Sequence, residues 1–145
     1  METRANEVES TYKVISYPGP DLPAQYKNMV FSKWLRSLRF GNDYFKIIDS
    51  DAYFSSYHVY IAALLLKPDA VVRLAVLSDD YDVVLGFSVA RGTVLDYVHV
   101  QRDYRRQGIG SSLIPDGTTI VTHLTKNGMS LWTSYLPTAK FNPFI

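Results

Sequence analysis

The residues of this chain best suited to chemistry are Arg105-Arg106-Gln107-Gly108-Ile109-Gly110, which follow the apolar stretch Thr93 to Val100 and a short polar turn. Glycines at two of three positions let a backbone come close to a bulky anion. A helix that opens on such glycines turns its free amides, and the positive end of its dipole, toward one point. Arg105 and Arg106 add positive charge beside it. The chemistry is anion binding, with a diphosphate as a suitable guest. The segment lacks the Gly-Lys-Ser/Thr ending of a Walker loop, and Gln107 stands where a dinucleotide fingerprint needs its first glycine.

Other chemistries are narrowed by composition. The absence of cysteine removes disulfides, thiolate nucleophiles and cysteine-based zinc sites. His58, His99 and His123 are too dispersed to form a metal motif. Asp79, Asp80 and Asp82 lack the glycine and distal glutamate of a calcium loop, and read as a turn. No metal is therefore expected. Fifteen basic and 14 acidic residues leave a net charge of +1, which disfavours a nucleic-acid-wrapping surface. The longest apolar run, Tyr60 to Leu66, is too short to cross a bilayer, and the polar start has no apolar signal core. The expectation is a cytoplasmic protein of one domain over residues 11–145, behind a flexible tail at 1–10. Eleven tyrosines are read as core filling.

The elements that must position the glycine motif can be read from periodicity. Tyr12 to Tyr17 predicts a strand, stopped by Pro18-Gly19-Pro20. A helix begins near Pro23 and ends near Gly41, with Tyr26, Val30, Trp34 and Leu38, widened by Phe31 and Leu35, as its buried stripe. Lys27, Lys33, Arg36 and Arg39 form its solvated side. A second helix starts at Asp49-Ser50-Asp51 and ends before Pro68, burying Phe54, Tyr57, His58, Ile61, Leu64 and Leu65. Val71 to Leu77, Val83 to Ala90 and Thr93 to Val100 form an antiparallel meander. Pro115 cuts the motif helix short; a strand over Thr118 to Leu124, a helix capped by Thr125 and a final strand over Ala139 to Ile145 complete the chain. The fold class is α/β (α+β): a mixed, mostly antiparallel twisted sheet of about six strands flanked by helices.

The run from Val98 to Leu113, a strand followed by Tyr-Arg and then Gly-Ile-Gly-x-x-Leu, resembles the acyl-CoA-binding motif of the GCN5-related N-acetyltransferases. The order of elements matches that family over about residues 12–136. The resemblance implies an N-acyltransferase that uses acetyl-CoA as cosubstrate and moves the acyl group to a primary amine. It implies that the amides of Arg106, Gln107, Gly108, Ile109, Gly110 and Ser111 cradle the diphosphate, with Arg105 leading the motif. Val98 and Val100 would pair by backbone with the pantetheine arm, where their strand splays from the next. The Val98 amide would polarise the thioester carbonyl. Asp96 and His99 are the candidate bases; strand alternation puts Asp96 on the face of Val98 and Val100 and His99 on the other. Tyr135 is the nearest match to the family's proton-donating tyrosine, one residue further from Asn127 than the common spacing. The ending Lys140 to Ile145 and the compact form resemble small phage-encoded members of the superfamily.

Two other readings stand beside the enzyme: a protein that keeps the fold without catalysis and binds another protein, and a nucleobase-modifying protein on the same fold. The partners implied by the leading reading are an acyl-CoA, an amine acceptor (small molecule or protein) and a second copy of the chain as a homodimer. Nucleic acid and membrane are disfavoured.

Overall fold

Side-chain caps at Asn42, Asp49 and Thr125 set where three of the helices begin. The structure, a computed structural model, describes residues 11–105 and 107–145, so the expected tail at 1–10 and Arg106 lie outside the described residues. Strand β1 (Tyr12–Pro18) leads through a 3-10 turn at Gly19–Asp21 into helix α1 (Ala24–Gly41), which starts after Pro23. Asn42 then caps a short helix α2 (Asp43–Lys46) by accepting the amides of Tyr44 and Phe45. Helix α3 (Ser50–Leu65) begins at Asp49, whose carboxylate accepts the Ala52 amide. Strands β2 (Ala70–Leu77), β3 (Asp80–Arg91) and β4 (Val94–Val100) follow as the expected meander. The remainder is helix α4 (Ile109–Leu113), strand β5 (Ile120–Val121), helix α5 (Lys126–Tyr135) and strand β6 (Lys140–Phe141).

The six strands lie in one sheet in chain order. Pairing is antiparallel from β1 to β4, with Tyr12 opposite Leu77 and Phe87 opposite His99. It is parallel for β4–β5 and β5–β6. Helices cover both faces. On one face the predicted α1 stripe (Val30, Trp34, Leu38) and Ile61 and Leu65 of α3 pack on Val72, Leu74, Phe87, Val89 and Tyr97. On the other, Ile109 and Leu113 of α4 pack on Ala75, Leu85 and Val100, and a smaller cluster joins Leu95, Val121 and Leu136. Each such side chain contributes on the order of 1.5–3 kcal/mol when fully buried.

Three expectations are corrected. His58 is exposed and stacks on Phe31 at 4.7 Å, while Tyr53, one position outside the expected stripe, is buried. The Tyr53 hydroxyl donates to the Leu35 carbonyl at 2.6 Å, so a polar tip that would otherwise be costly to bury has a partner. The strand expected over 118–124 shortens to Ile120–Val121, because the chain beyond Val121 turns away from β4 toward the end of α1. The final strand is likewise confined to Lys140–Phe141, and α2 carried no periodic signal because it is a single turn.

Candidate functional site

The site begins where the parallel ladder between β4 and β5 stops. That ladder consists of Val94 beside Ile120 and Leu95 beside Val121, closed by the Thr122 amide donating to the Leu95 carbonyl at 3.1 Å. Beyond it the Leu124 carbonyl accepts the Asn42 side chain of the α1–α2 junction at 2.9 Å, so the two strands diverge. On its other edge β4 stays paired with β3, and the Gln101 amide donates to the Leu85 carbonyl. Amides alternate sides along a strand, so those of Val98 and Val100 face the divergence.

A narrow apolar slot occupies this gap, a cavity of about 10 Å³ that opens partly to solvent. Tyr97 and Val98 form one wall, His123 and Leu124 the opposite one, and Leu131 and Trp132 of α5 the floor. Next to it, α4 begins at Gly108, whose φ of +80° belongs to the left-handed region that glycine adopts without strain. Among the described residues no side chain caps this helix, which leaves its first amides open to a guest. Gly110 allows α5 to close in: a Cβ there would stand 2.9 Å from the Leu131 methyls. Arg105 folds back and donates from Nε to the Val100 carbonyl at 3.0 Å, fixing the turn to the strand edge. Gln107 and Gly108 are exposed, whereas Ile109 and Gly110 are buried.

A β-bulge alters the expected facing of the acidic candidate. Val89 lies opposite Tyr97 and Ala90 opposite Leu95, so Asp96 is the extra residue of β4. Alternation is broken there, and Asp96 does not share the face of Val98 and Val100. It turns to Arg91, which follows Phe87 and Val89 along the α1/α3 face of β3. Arg91 grips the carboxylate bidentately, Nε to Oδ2 at 2.7 Å and Nη2 to Oδ1 at 2.9 Å, and Thr122 Oγ1 donates to Oδ1 at 3.0 Å. A fully buried carboxylate held by three donors is a structural anchor for the bulge.

His99 also looks toward α1. It packs on Phe87, and its Nε2 is buried without a hydrogen-bond partner among the described residues. Burial first, then the charges of Arg105 and Lys33, lower its pKa to about 4. The folded protein therefore binds fewer protons here than the unfolded chain between about pH 4 and 6.5. Stability from this residue is complete above pH 6.5 and falls as the pH drops toward 4, by up to about 3 kcal/mol. Denaturant melts across that range should show the slope, and His99→Leu should flatten it; an unchanged slope would refute the assignment.

His123 carries no signal in the sequence beyond standing at the end of a strand candidate, yet the fold brings it to the divergence. Its Nδ1 lies 2.9 Å from Thr122 Oγ1 and 3.2 Å from the Asp96 carbonyl. Its Nε2 lies 3.5 Å from the Tyr57 hydroxyl, and its ring meets Trp34, Tyr57 and Tyr60. Burial lowers the His123 pKa, against the opposing pull of the Asp96 charge. Burial also pushes the Tyr57 phenol up to about 12. The fold thus gathers Asp96, His123, Val98 and the start of α4 around one gap, with His99 on the α1 side of β4. Tyr135 closes α5, and its side chain lies outside what the structure describes. Among the described residues no group of three or more His, Cys, Asp or Glu side chains could hold a metal ion, and no helix is long and apolar enough to cross a membrane.

A mixed sheet whose fourth and fifth strands part beside a glycine-started helix can be compared with solved structures. One is a ribosomal-protein-alanine N-acetyltransferase from Brucella melitensis biovar Abortus 2308, with a TM-score of 0.56 at 15% identity over 92% of this chain and 95% of that one. Another is an aminoglycoside acetyltransferase from an uncultured soil metagenomic sample, with a TM-score of 0.54 at 19% identity over 93% of each chain. The chain has the acetyltransferase fold. At these identities the likeness is one of architecture alone. No protein-family model matches the sequence, and no curated protein does.

Proposed function

We propose that the chain is an acyl-CoA-dependent N-acyltransferase that binds its thioester in the β4–β5 gap. The observation that carries this reading is the apolar slot beside Val98, where β4 runs on past its last pair with β5 at Leu95, with Gly110 of the uncapped α4 packed against Leu131 of the slot's lining. An extended amide-bearing arm can add to the free edge of β4 as a strand would, through alternate backbone groups. The diphosphate would meet the amides of Gln107 to Ser111, with Arg106 adding charge. The Val98 amide, turned into the gap, would polarise the thioester carbonyl as negative charge develops on its oxygen. The neighbours' described activities on aminoglycosides and on a ribosomal-protein alanine support a primary amine as acceptor.

Coenzyme A at about a hundred times its Kd should raise the melting temperature by roughly 5–10 °C. Gly108→Glu should abolish that rise, by setting a carboxylate and a strained left-handed residue before the diphosphate. Gly108→Asn, which tolerates the same φ, should keep the protein folded and retain part of the shift. A wild-type protein unmoved by millimolar coenzyme A would end the proposal.

The competing reading, a binding protein that keeps the fold without catalysis, draws on one observation: Asp96 is fully engaged by Arg91 and Thr122. No acceleration of thioester consumption with any acceptor among amines, peptides and proteins would favour it.

A further inference from the structure

A buried polar chain runs from the bulge of β4 to the α3 side of the gap, and its hydrogen bonds can be given directions. The Asp96 carboxylate and carbonyl only accept. Thr122 therefore spends its single hydroxyl proton on the carboxylate, at 3.0 Å, and its oxygen must accept from His123 Nδ1 at 2.9 Å. The Asp96 carbonyl, 3.2 Å away, demands a proton on the same nitrogen. Both contacts fix the Nδ1–H tautomer, which leaves Nε2 as an acceptor on the opposite side of the ring. That lone pair faces the Tyr57 hydroxyl at 3.5 Å, on the α3 side, while the same histidine lines the slot.

We propose that His123 is the general base of the acyl transfer, held in its reactive tautomer by Thr122 and Asp96 as positioning residues. This rests on the proposed binding of acyl-CoA in the gap. The acceptor amine would arrive from the α3 side, taking over the position of the Tyr57 hydroxyl. Its nitrogen forms a bond to the thioester carbon, the carbon–sulfur bond breaks and its electron pair goes to sulfur. The proton lost by the nitrogen passes to Nε2, and the imidazolium returns it to the thiolate, so that amide and free thiol are the only products. The charged and titratable groups facing His123 are Asp96 and Tyr97 from β4, Arg91 from β3, and Tyr57 and Tyr60 from α3; Trp34 of α1 supplies an apolar wall. Burial keeps the imidazole neutral near pH 7, which leaves Nε2 able to accept.

Acetyl-CoA with hydroxylamine, a small nucleophile uncharged at neutral pH, tests this without knowledge of the natural acceptor. Thiol release is followed with a chromogenic disulfide, alongside the coenzyme A melting shift. His123→Gln should keep the shift and lose about a hundredfold in rate. Thr122→Val should lose about tenfold, the weight of one hydrogen bond in a charged chain, and its rising pH limb should move to lower pH because the carboxylate no longer supports the cation. His123→Gln within about twofold of wild type would overturn the inference. A wild type that binds coenzyme A without accelerating thiol release would overturn it too, and leave the binding reading intact. Absence of the melting shift would remove both. Should His123→Gln not fold, imidazole nitrogen shifts of the wild type decide: a proton on Nε2 and none on Nδ1 overturns the assignment.

Discussion

Replacing Arg91 with methionine is expected to destabilise the protein by about 3–5 kcal/mol, because it strands a buried carboxylate. Asp96 has no accessible surface, and Arg91 supplies two of the three side-chain donors that hold it. Thr122 alone cannot compensate a full charge away from water. The pair also pins the bulge, so the loss should reach the gap: Leu95 and Tyr97 flank Asp96 and both line the slot. Equilibrium denaturation of the single variant measures the effect. The double variant Arg91→Met/Asp96→Leu should recover most of it, since removing both charges leaves nothing unpaired. A loss below about 1 kcal/mol in the single variant would mean that water reaches the carboxylate.

Truncating Trp34 to alanine should cost a similar amount, about 3–5 kcal/mol. The ring is fully buried, lies nearly parallel to Tyr97 at 5.0 Å and meets His123 edge-on at 6.0 Å. Its Nε1 has no partner among the described residues, so no hydrogen bond is lost with it and the cost is that of a cavity. Trp34→Phe, which keeps a ring against Tyr97, should lose less than half as much. A denaturant midpoint unchanged in Trp34→Ala would show that α1 does not depend on this contact. The variant bears on function as well, because Trp34 forms the apolar wall behind His123.

Much of the architecture was legible because single residues mark it. Tyr26, Val30, Trp34 and Leu38 recur at helical spacing and all four are buried. Asp49 and Thr125 cap their helices as their side chains predict. The β-branched runs and the Arg91-Gly92 reversal yield the meander, with Gly92 at φ +56°. What stayed hidden depends on contacts distant in sequence. The bulge at Asp96 is a mismatch between two strands, and neither strand carries it alone. Without it, period two turns Asp96 to the wrong face. Tyr53 is buried because α2 and the end of α1 close over it, as its contacts with Phe45 and Leu35 show. His123 gains its place only when β5 leaves β4 after Val121.

The sheet's chain-order topology has a kinetic side. Strands β1 to β4 are long antiparallel neighbours with near-sequential pairing, and α1 and α3 already cover one of their faces. Strands β5 and β6 join by two residue pairs each. The segment from β5 onward is thus held to the meander by short ladders, and its amides should exchange before those of β1 to β4. Its detachment would leave the meander's own ladder unbroken. The β4–β5 gap is bounded by one of the two shortest ladders among the described strands, so the region that would admit a ligand is also the one expected to open before the meander does.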